Sequence, residues 1–269
     1  MTEGNRPSRI DLAAFRASHP ERRHGAWTYL AAGAGARALV VLPGGLRLAE
    51  PAQAIITAFE GDRRVIVPNY PPLATLAALA DGLAALLDAE GLSNVDVMGS
   101  SLGGMLAQVF IQRHPQRVAS LILVSTFAPE PRAVARFKRQ KALIHLVPGF
   151  YLRKVMTRVY QSFTTPSPED KAFWDAYMAE AVRSRLTRAD FLATQANVLD
   201  FHERFRPAPV SHRMLILDSD DDPVVAPAQQ DALIALYPGA RHVRLHGAGH
   251  TTFMSKPVEA IAALKTFLG

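Results

Sequence analysis

The sequence predicts an α/β protein, a mostly parallel sheet with helices on both faces and a helical insertion, and three observations carry that expectation. Short, mostly β-branched apolar runs alternate with stretches of helical period. A block of about 80 residues interrupts that alternation once. The 269 residues are 49% hydrophobic and 20% charged, with a mean hydropathy of +0.05, enough for one sizeable core plus a sub-domain and too apolar for a disordered chain.

The strands are expected at residues 27–30, 38–42, 64–67, 95–98, 120–124, 214–217 and 243–245. Between them, Leu76, Leu79, Leu83, Leu86 and Leu87 form one apolar stripe, and Leu102, Met105, Leu106, Val109 and Phe110 form a second. Both follow the i, i+3, i+4, i+7 spacing of a helix lying on a sheet. Residues 231–236 and 258–267 supply two more helices, the latter with Val258, Ile261, Leu264 and Leu268 on one side. Strand and helix in alternation give a parallel sheet covered on both faces. The core is therefore expected at residues 1–127 and 208–269, and a helical cap at 128–207, broken by Pro148-Gly149 and by Pro166 to Pro168. That insertion holds 11 of the 21 aromatic residues, among them Tyr160, Phe163, Phe173, Trp174 and Phe150, as a lid over an apolar pocket would or as a simple lid core would.

Composition removes whole classes of function. The chain has no cysteine, which excludes a disulfide framework, a thiolate nucleophile and Cys-ligated zinc or iron-sulfur clusters. Residues 1–8 carry Glu3, Arg6 and Pro7 without an apolar run behind them, unlike a secretory signal. The longest apolar stretch, 118–128, is interrupted by Ser120, Ser125 and Thr126 and is far short of the ~20 residues that span a bilayer. A cytoplasmic protein is expected. The net charge is +6, but residues 132–158 contain eight basic residues (Arg132, Arg136, Lys138, Arg139, Lys141, Arg153, Lys154, Arg158) and no acidic one. The rest of the chain is slightly acidic, so the basic balance describes one segment and no nucleic-acid partner is expected. That segment is either a solvated helix face or a surface that draws an anionic membrane or substrate toward the cap, with Phe137, Leu143, Ile144, Leu146 and Val147 interleaved as an amphipathic face.

The chemistry centres on Gly99-Ser100-Ser101-Leu102-Gly103-Gly104, which joins the strand at 95–98 to a helix. A Gly-x-Ser-x-Gly turn in that setting lifts its serine above the sheet edge at a helix N-terminus, and the turn is so sharp that the flanking positions need almost no side chain. The register selects Ser101, because Ser100 would require glycines where Met98 and Leu102 stand. A serine hydroxyl needs a base within reach, oriented in turn by an acid, in the chain order Ser, acid, His. Asp218, Asp220, Asp221 and Asp222 follow the strand at 214–217, and His246-Gly247-Ala248-Gly249-His250 follows the strand at 243–245. Any of the four aspartates could be solvated loop charge, and Ser101 or His250 could be mere turn residues.

These features resemble the α/β-hydrolase superfamily, from the strand at 38–42 to the last helix. In that family the acid commonly precedes a proline, as Asp222 precedes Pro223, and the base closes a Gly-x-Gly-His run, as in Gly247-Ala248-Gly249-His250. The resemblance implies the catalytic triad Ser101, Asp222 and His250. It also implies an oxyanion hole from the N–H groups of Leu102 and Gly45, although Pro43 in Pro43-Gly44-Gly45-Leu46 stands where the family usually has histidine. The stretches 42–45, 64–71 and 101–108 look similar to the maspardin-like branch, which includes proteins regarded as adaptors without an intact triad; this chain keeps all three members. Ser101 excludes the aspartate nucleophile of haloalkane dehalogenases and epoxide hydrolases.

Competing motifs fail on chemistry. Asp218, Asp220 and Asp222 sit as a calcium loop would place them, but Pro223 occupies the required glycine and Gln229 the bidentate glutamate. His246 and His250 are separated by glycines that argue against a metal-binding helix. Gly33-Ala34-Gly35-Ala36-Arg37-Ala38 leads into a strand instead of opening a helix, unlike a dinucleotide fingerprint. The expectation is a serine hydrolase without metal or cofactor. It would cleave an ester, lactone, thioester or amide of a small, apolar or aromatic acyl substrate. The alternative is an α/β-hydrolase-fold binding or adaptor protein with a vestigial site.

Overall fold

The computed structural model describes residues 11–269, apart from the side chains of His145, Phe150, Val182 and Arg183. The stretch 1–8 and the Phe150 ring, both used above, lie outside the described residues. Eight strands form one sheet: β1 (Arg22–His24), β2 (Trp27–Ala32), β3 (Ala38–Leu42), β4 (Arg64–Asn69), β5 (Val95–Ser100), β6 (Val118–Val124), β7 (Arg213–Ser219) and β8 (Arg241–Leu245). Their order is β1-β2-β4-β3-β5-β6-β7-β8. The β1–β2 and β2–β4 pairs are antiparallel, and every pairing from β4 through β8 is parallel.

The helices are α1 (Leu12–Ser18), α2 (Gln53–Phe59), α3 (Leu76–Ala89), α4 (Leu102–Arg113), α5 (Val134–Leu146), α6 (Gly149–Ser162), α7 (Lys171–Glu180), α8 (Arg188–Arg204), α9 (Pro227–Leu236), α10 (Thr252–Ser255) and α11 (Pro257–Leu268). The sheet divides two cores, as the period of two along a strand requires. Leu39, Val41, Met98, Ile122 and Leu215 face Phe15, Ile56, Phe59 and Leu264 of α1, α2 and α11. Val40, Leu42, Val97, Leu121 and Ile216 face Leu79, Leu83, Leu106 and Phe110 of α3 and α4. Leu39, Val40 and Leu42 are fully shielded from solvent, and each such side chain contributes about 1.5–3 kcal/mol by leaving water. Burial on both faces explains why these strands read as unbroken apolar runs.

Between β6 and β7 the chain runs through α5, α6, α7, a π turn at Ala181–Arg185 and α8. Helix α8 starts on a capping box in which Thr187 and Asp190 satisfy each other's backbone N–H groups. Phe201 of this helix and Phe205, its C-cap, then pack into the same core as α3 and α4. The end of this segment is thus part of the main body, whereas α5 and α6 stand outermost, with exposed Leu143, Leu146, Tyr151, Val155 and Val159. Among the described residues no helix is long and apolar enough to cross a membrane.

Candidate active site

Strand β5 ends in the turn to α4, and the turn is tight enough to dictate its own residues. A Cβ on Gly99 would lie 2.1 Å from the Gly103 carbonyl oxygen, and one on Gly103 would lie 2.0 Å from that of Leu42, so only glycine fits at either place. Ser101 takes φ 52°, ψ −116°, a conformation costing a non-glycine residue of order 1–3 kcal/mol. The fold holds it there through two backbone anchors. Its N–H donates to the Val124 carbonyl at 2.9 Å, and its carbonyl accepts from Thr126 Oγ1 at 2.7 Å.

The ends of β7 and β8 bring the other two residues to the same place. His250 Nε2 lies 3.1 Å from Ser101 Oγ, and His250 Nδ1 lies 2.9 Å from Asp222 Oδ2 and 3.1 Å from Oδ1. A carboxylate only accepts, so Nδ1 carries the proton and Nε2 faces the serine as an acceptor. Asp222 Oδ1 also accepts the Val224 and Val225 N–H groups at 2.8 and 3.0 Å. Asp222 and His250 are both buried. Phe163, just past α6, stands edge-on to the His250 ring with centroids 5.4 Å apart at 88°.

The remaining aspartates are engaged as well. Asp218 is buried and pairs with Arg244 and His242 of β8, at 2.9 Å to each. Asp220 accepts the Gly247 N–H at 2.9 Å and contacts His246. Asp221 accepts the Gly249 N–H at 2.8 Å and the Ser219 hydroxyl at 2.6 Å, while Ser219 Oγ accepts the Ala248 N–H at 2.9 Å. Ser219, Asp220 and Asp221 thus clamp the backbone of the loop that presents His250. The sequence carries a signal for two of these roles: Asp220 and Asp221, just past β7, face a glycine loop whose N–H groups need acceptors. His246 is exposed on Asp220 whereas His250 is buried on Asp222, so only His250 of the two imidazoles turns in toward Ser101.

The Pro43-to-Leu46 turn lies against the serine, with Gly44 placed so that a Cβ there would meet Ser101 Cβ at 3.5 Å. Its carbonyls are occupied: that of Pro43 accepts from Tyr70 Oη at 2.9 Å, that of Gly44 from Arg47 N at 2.9 Å, and that of Gly45 from Thr194 Oγ1 at 3.2 Å. Leu102 opens α4, and first-turn N–H groups have no partner within their own helix. Sequence reasoning missed Arg47, which braces this turn. It sits at φ 62° and is buried, and burial lowers its pKa. The guanidinium donates to Asn197 Oδ1 of α8 at 2.8 Å and to the Pro71 carbonyl at 2.5 Å, and it stacks over Tyr70 at 5.5 Å. No sequence signal marks one arginine in Leu46-Arg47-Leu48 as a buried brace.

Ser101 and His250 open onto a cavity of about 190 Å³ lined by Leu46, Leu48, Ile55, Met98, Tyr160, Phe163, Trp174, Phe253 and Met254. The aromatics of residues 128–207 therefore divide. Tyr160, Phe163 and Trp174 line the cavity, Phe201 and Phe205 fill the core below, and Phe137 stacks on His202 at 4.8 Å. Tyr160 is buried, and its hydroxyl lies at the Gly45 turn, 3.0 Å from where a Cβ on Gly45 would be. Burial raises its pKa and keeps it a proton donor.

Comparison with known proteins places this arrangement. A family model described as alpha/beta hydrolase fold matches residues 37–257. Human maspardin is 28% identical over 204 residues, 73% of this chain and 63% of its own length, so the chain spans less than two thirds of that relative. The Caulobacter vibrioides protein named "Putative carbamate hydrolase RutD" is 28% identical over 204 residues, 75% of each chain. A hydrolase from Pseudomonas aeruginosa PA01 superposes with a TM-score of 0.78 at 23% identity, over 90% of this chain and 94% of that one.

Proposed function

The chain belongs to the α/β-hydrolase fold family, and on that premise we propose that it is a serine hydrolase acting on an ester, lactone, thioester or amide through an acyl-enzyme on Ser101. The observation that carries the proposal is the continuous hydrogen-bonded path from Ser101 through His250 to Asp222 at the floor of an apolar cavity. Ser101 Oγ attacks the substrate carbonyl carbon while His250 Nε2 takes the hydroxyl proton. The carbonyl π pair moves to oxygen, and the resulting oxyanion faces the Gly45 and Leu102 N–H groups, each worth about 3–4 kcal/mol of barrier. Collapse expels the leaving group, which receives the proton from His250. Water then repeats the sequence on the acyl-enzyme, releasing the acid and restoring Ser101. Asp222 fixes the imidazole tautomer throughout, and the Tyr160 hydroxyl supplies a further donor in the wall.

The apolar lining suits an aliphatic or aromatic acyl group, and carboxylic esters are the favoured class. A carbamate, the substrate type in the name of the Caulobacter relative, presents the same carbonyl beside a heteroatom leaving group. The test is a panel of chromogenic esters of graded acyl length with a lactone, a thioester, an amide and a carbamate, followed through the first turnover. A pre-steady-state burst that vanishes in Ser101→Ala is expected. Equal hydrolysis by both proteins, or none by either, contradicts the proposal. A second reading, a binding or adaptor protein that keeps the fold, is favoured by the exposed apolar and basic face of α6, and it requires an unreactive Ser101.

A further inference from the structure

We propose that the outer face of α6, with the end of α5, docks this protein onto an anionic lipid surface. Helix α6 is apolar on two sides. Leu152, Met156 and Tyr160 turn inward and are buried or half-buried. Tyr151, Val155 and Val159, spaced four apart, turn outward at 54%, 37% and 43% exposure. Lys154 and Arg158 lie on that same outward face, since residues three and four apart share one side of a helix. At the end of α5, Leu143 and Leu146 are 63% and 80% exposed. Five of the eight exposed large hydrophobics among the described residues thus fall between Leu143 and Val159, which marks the patch as distinct from ordinary scattered surface apolarity.

Charge selects the occupant. Residues 132–158 carry eight Lys and Arg and no Asp or Glu. Among the described residues Lys154 and Arg158 form no ion pair, while Lys138 is committed to Glu203 at 2.6 Å. A second copy of this chain would set a purely basic segment against its equal and is disfavoured. An anionic bilayer offers phosphates for the basic side chains and a fluid acyl layer that accepts exposed Leu, Tyr and Val without a shaped pocket. The helix that meets the lipid is also the helix whose inner face walls the cavity with Tyr160. The substrate would then be an ester that partitions into the same layer, a point that rests on the proposed acyl transfer.

The experiment is co-sedimentation of full-length Ser101→Ala protein with vesicles of phosphatidylcholine alone or mixed with phosphatidylglycerol, at low and high salt. Using Ser101→Ala makes docking readable whatever the outcome for hydrolysis. Binding to the mixed vesicles only, weakened by salt, is expected. Lys154→Glu with Arg158→Glu should weaken it roughly 20-fold or more, and Leu146→Ser with Val155→Ser should weaken it about 10-fold. A matched charge reversal at Arg23 and Arg241, exposed on the two edge strands, should leave it unchanged. Circular dichroism confirms that each variant is folded. Absence of binding at low salt overturns the proposal. So does an equal effect of the edge-strand control, indifference to the apolar substitutions, or a dimer that is lost with Leu146→Ser while vesicles are ignored. Preferential binding to an acidic protein surface, mimicked by polyglutamate, overturns it as well.

Discussion

The loops that follow β5, β7 and β8 and the helices inserted between β6 and β7 meet at one cavity, yet they are held by different forces. The loops are fixed through backbone hydrogen bonds: Ser101 to Val124, Asp222 to Val224 and Val225, and Asp220 and Asp221 to Gly247 and Gly249. The inserted wall is fixed by side-chain packing, with Tyr160, Phe163 and Trp174 presented from helices and their ends. Directional bonds hold atoms to within tenths of an ångström, which acyl transfer requires, whereas apolar packing tolerates exchange of shape at modest cost. The chemistry is therefore expected to reside in the loops and the choice of substrate in the helices.

The largest expected effects fall on the loops. Ser101→Ala and His250→Ala should each lower kcat by several orders of magnitude, on the order of 10^4 to 10^6, and Asp222→Asn by about 10^4, with the fold retained. Steady-state kinetics beside thermal unfolding checks this. A drop of tenfold or less in any of the three would break the comparison at its base.

Next in size is Asp221→Ala, which frees the Gly249 N–H and the Ser219 hydroxyl and lets the His250 loop drift. A loss of about 10- to 100-fold in kcat with little change in KM is expected, and Asp221→Asn, which keeps an acceptor oxygen, should recover most of it. A purely structural role would instead lower Tm in both variants without that rescue.

The wall should respond differently. Phe163→Ala and Tyr160→Phe are expected to change kcat/KM by about tenfold or less. For Phe163→Ala the change should depend on acyl size, and for Tyr160→Phe it should be uniform across acyl groups and appear in kcat. Kinetics across the ester panel separates the two: acyl-size dependence confined to Phe163→Ala sharpens the division of labour, and its appearance in Tyr160→Phe breaks it.

The smallest effect on turnover is expected where the wall is fastened, because there the change falls on stability instead. His202 of α8 is buried, accepts the Glu130 N–H at 2.9 Å on Nδ1 and stacks on Phe137. Burial, with Arg136 nearby, pushes its pKa down from 6.5 to about 4. Above pH 6.5 the imidazole is neutral in folded and unfolded chains alike, so its contribution is fully present. As the pH falls toward 4 the unfolded chain takes up a proton that the fold refuses, and roughly 3 kcal/mol drains away. Thermal unfolding between pH 7 and pH 4 should show a shallower decline in His202→Asn than in the unsubstituted protein.

What could be read from the sequence follows the same division. Strands β2 to β7 and helices α3, α4 and α11 announce themselves because burial on both faces or on one stripe leaves a periodic apolar pattern, whereas the edge strand β8, with no fully buried residue, shows only through the half-buried Val243 and Leu245. The serine turn is legible because sterics forbid anything but glycine at Gly99 and Gly103. Strand β1, Arg22-Arg23-His24, is exposed at all three residues and carries no apolar signal. Helices α2 and α10 have seven and four residues, too short for a stripe to stand out. Arg47 and Tyr160 gain their places from contacts distant in sequence, Asn197 for one and Gly45 for the other, and no local pattern encodes those.

The central claim, that the backbone-held loops contain an activated serine, is tested most directly by labelling with an active-site fluorophosphonate, read by intact mass and peptide mapping. The account predicts one adduct, on Ser101, absent in Ser101→Ala and strongly slowed in His250→Ala. A folded protein that takes no adduct, or one labelled on a serine other than Ser101, would contradict it.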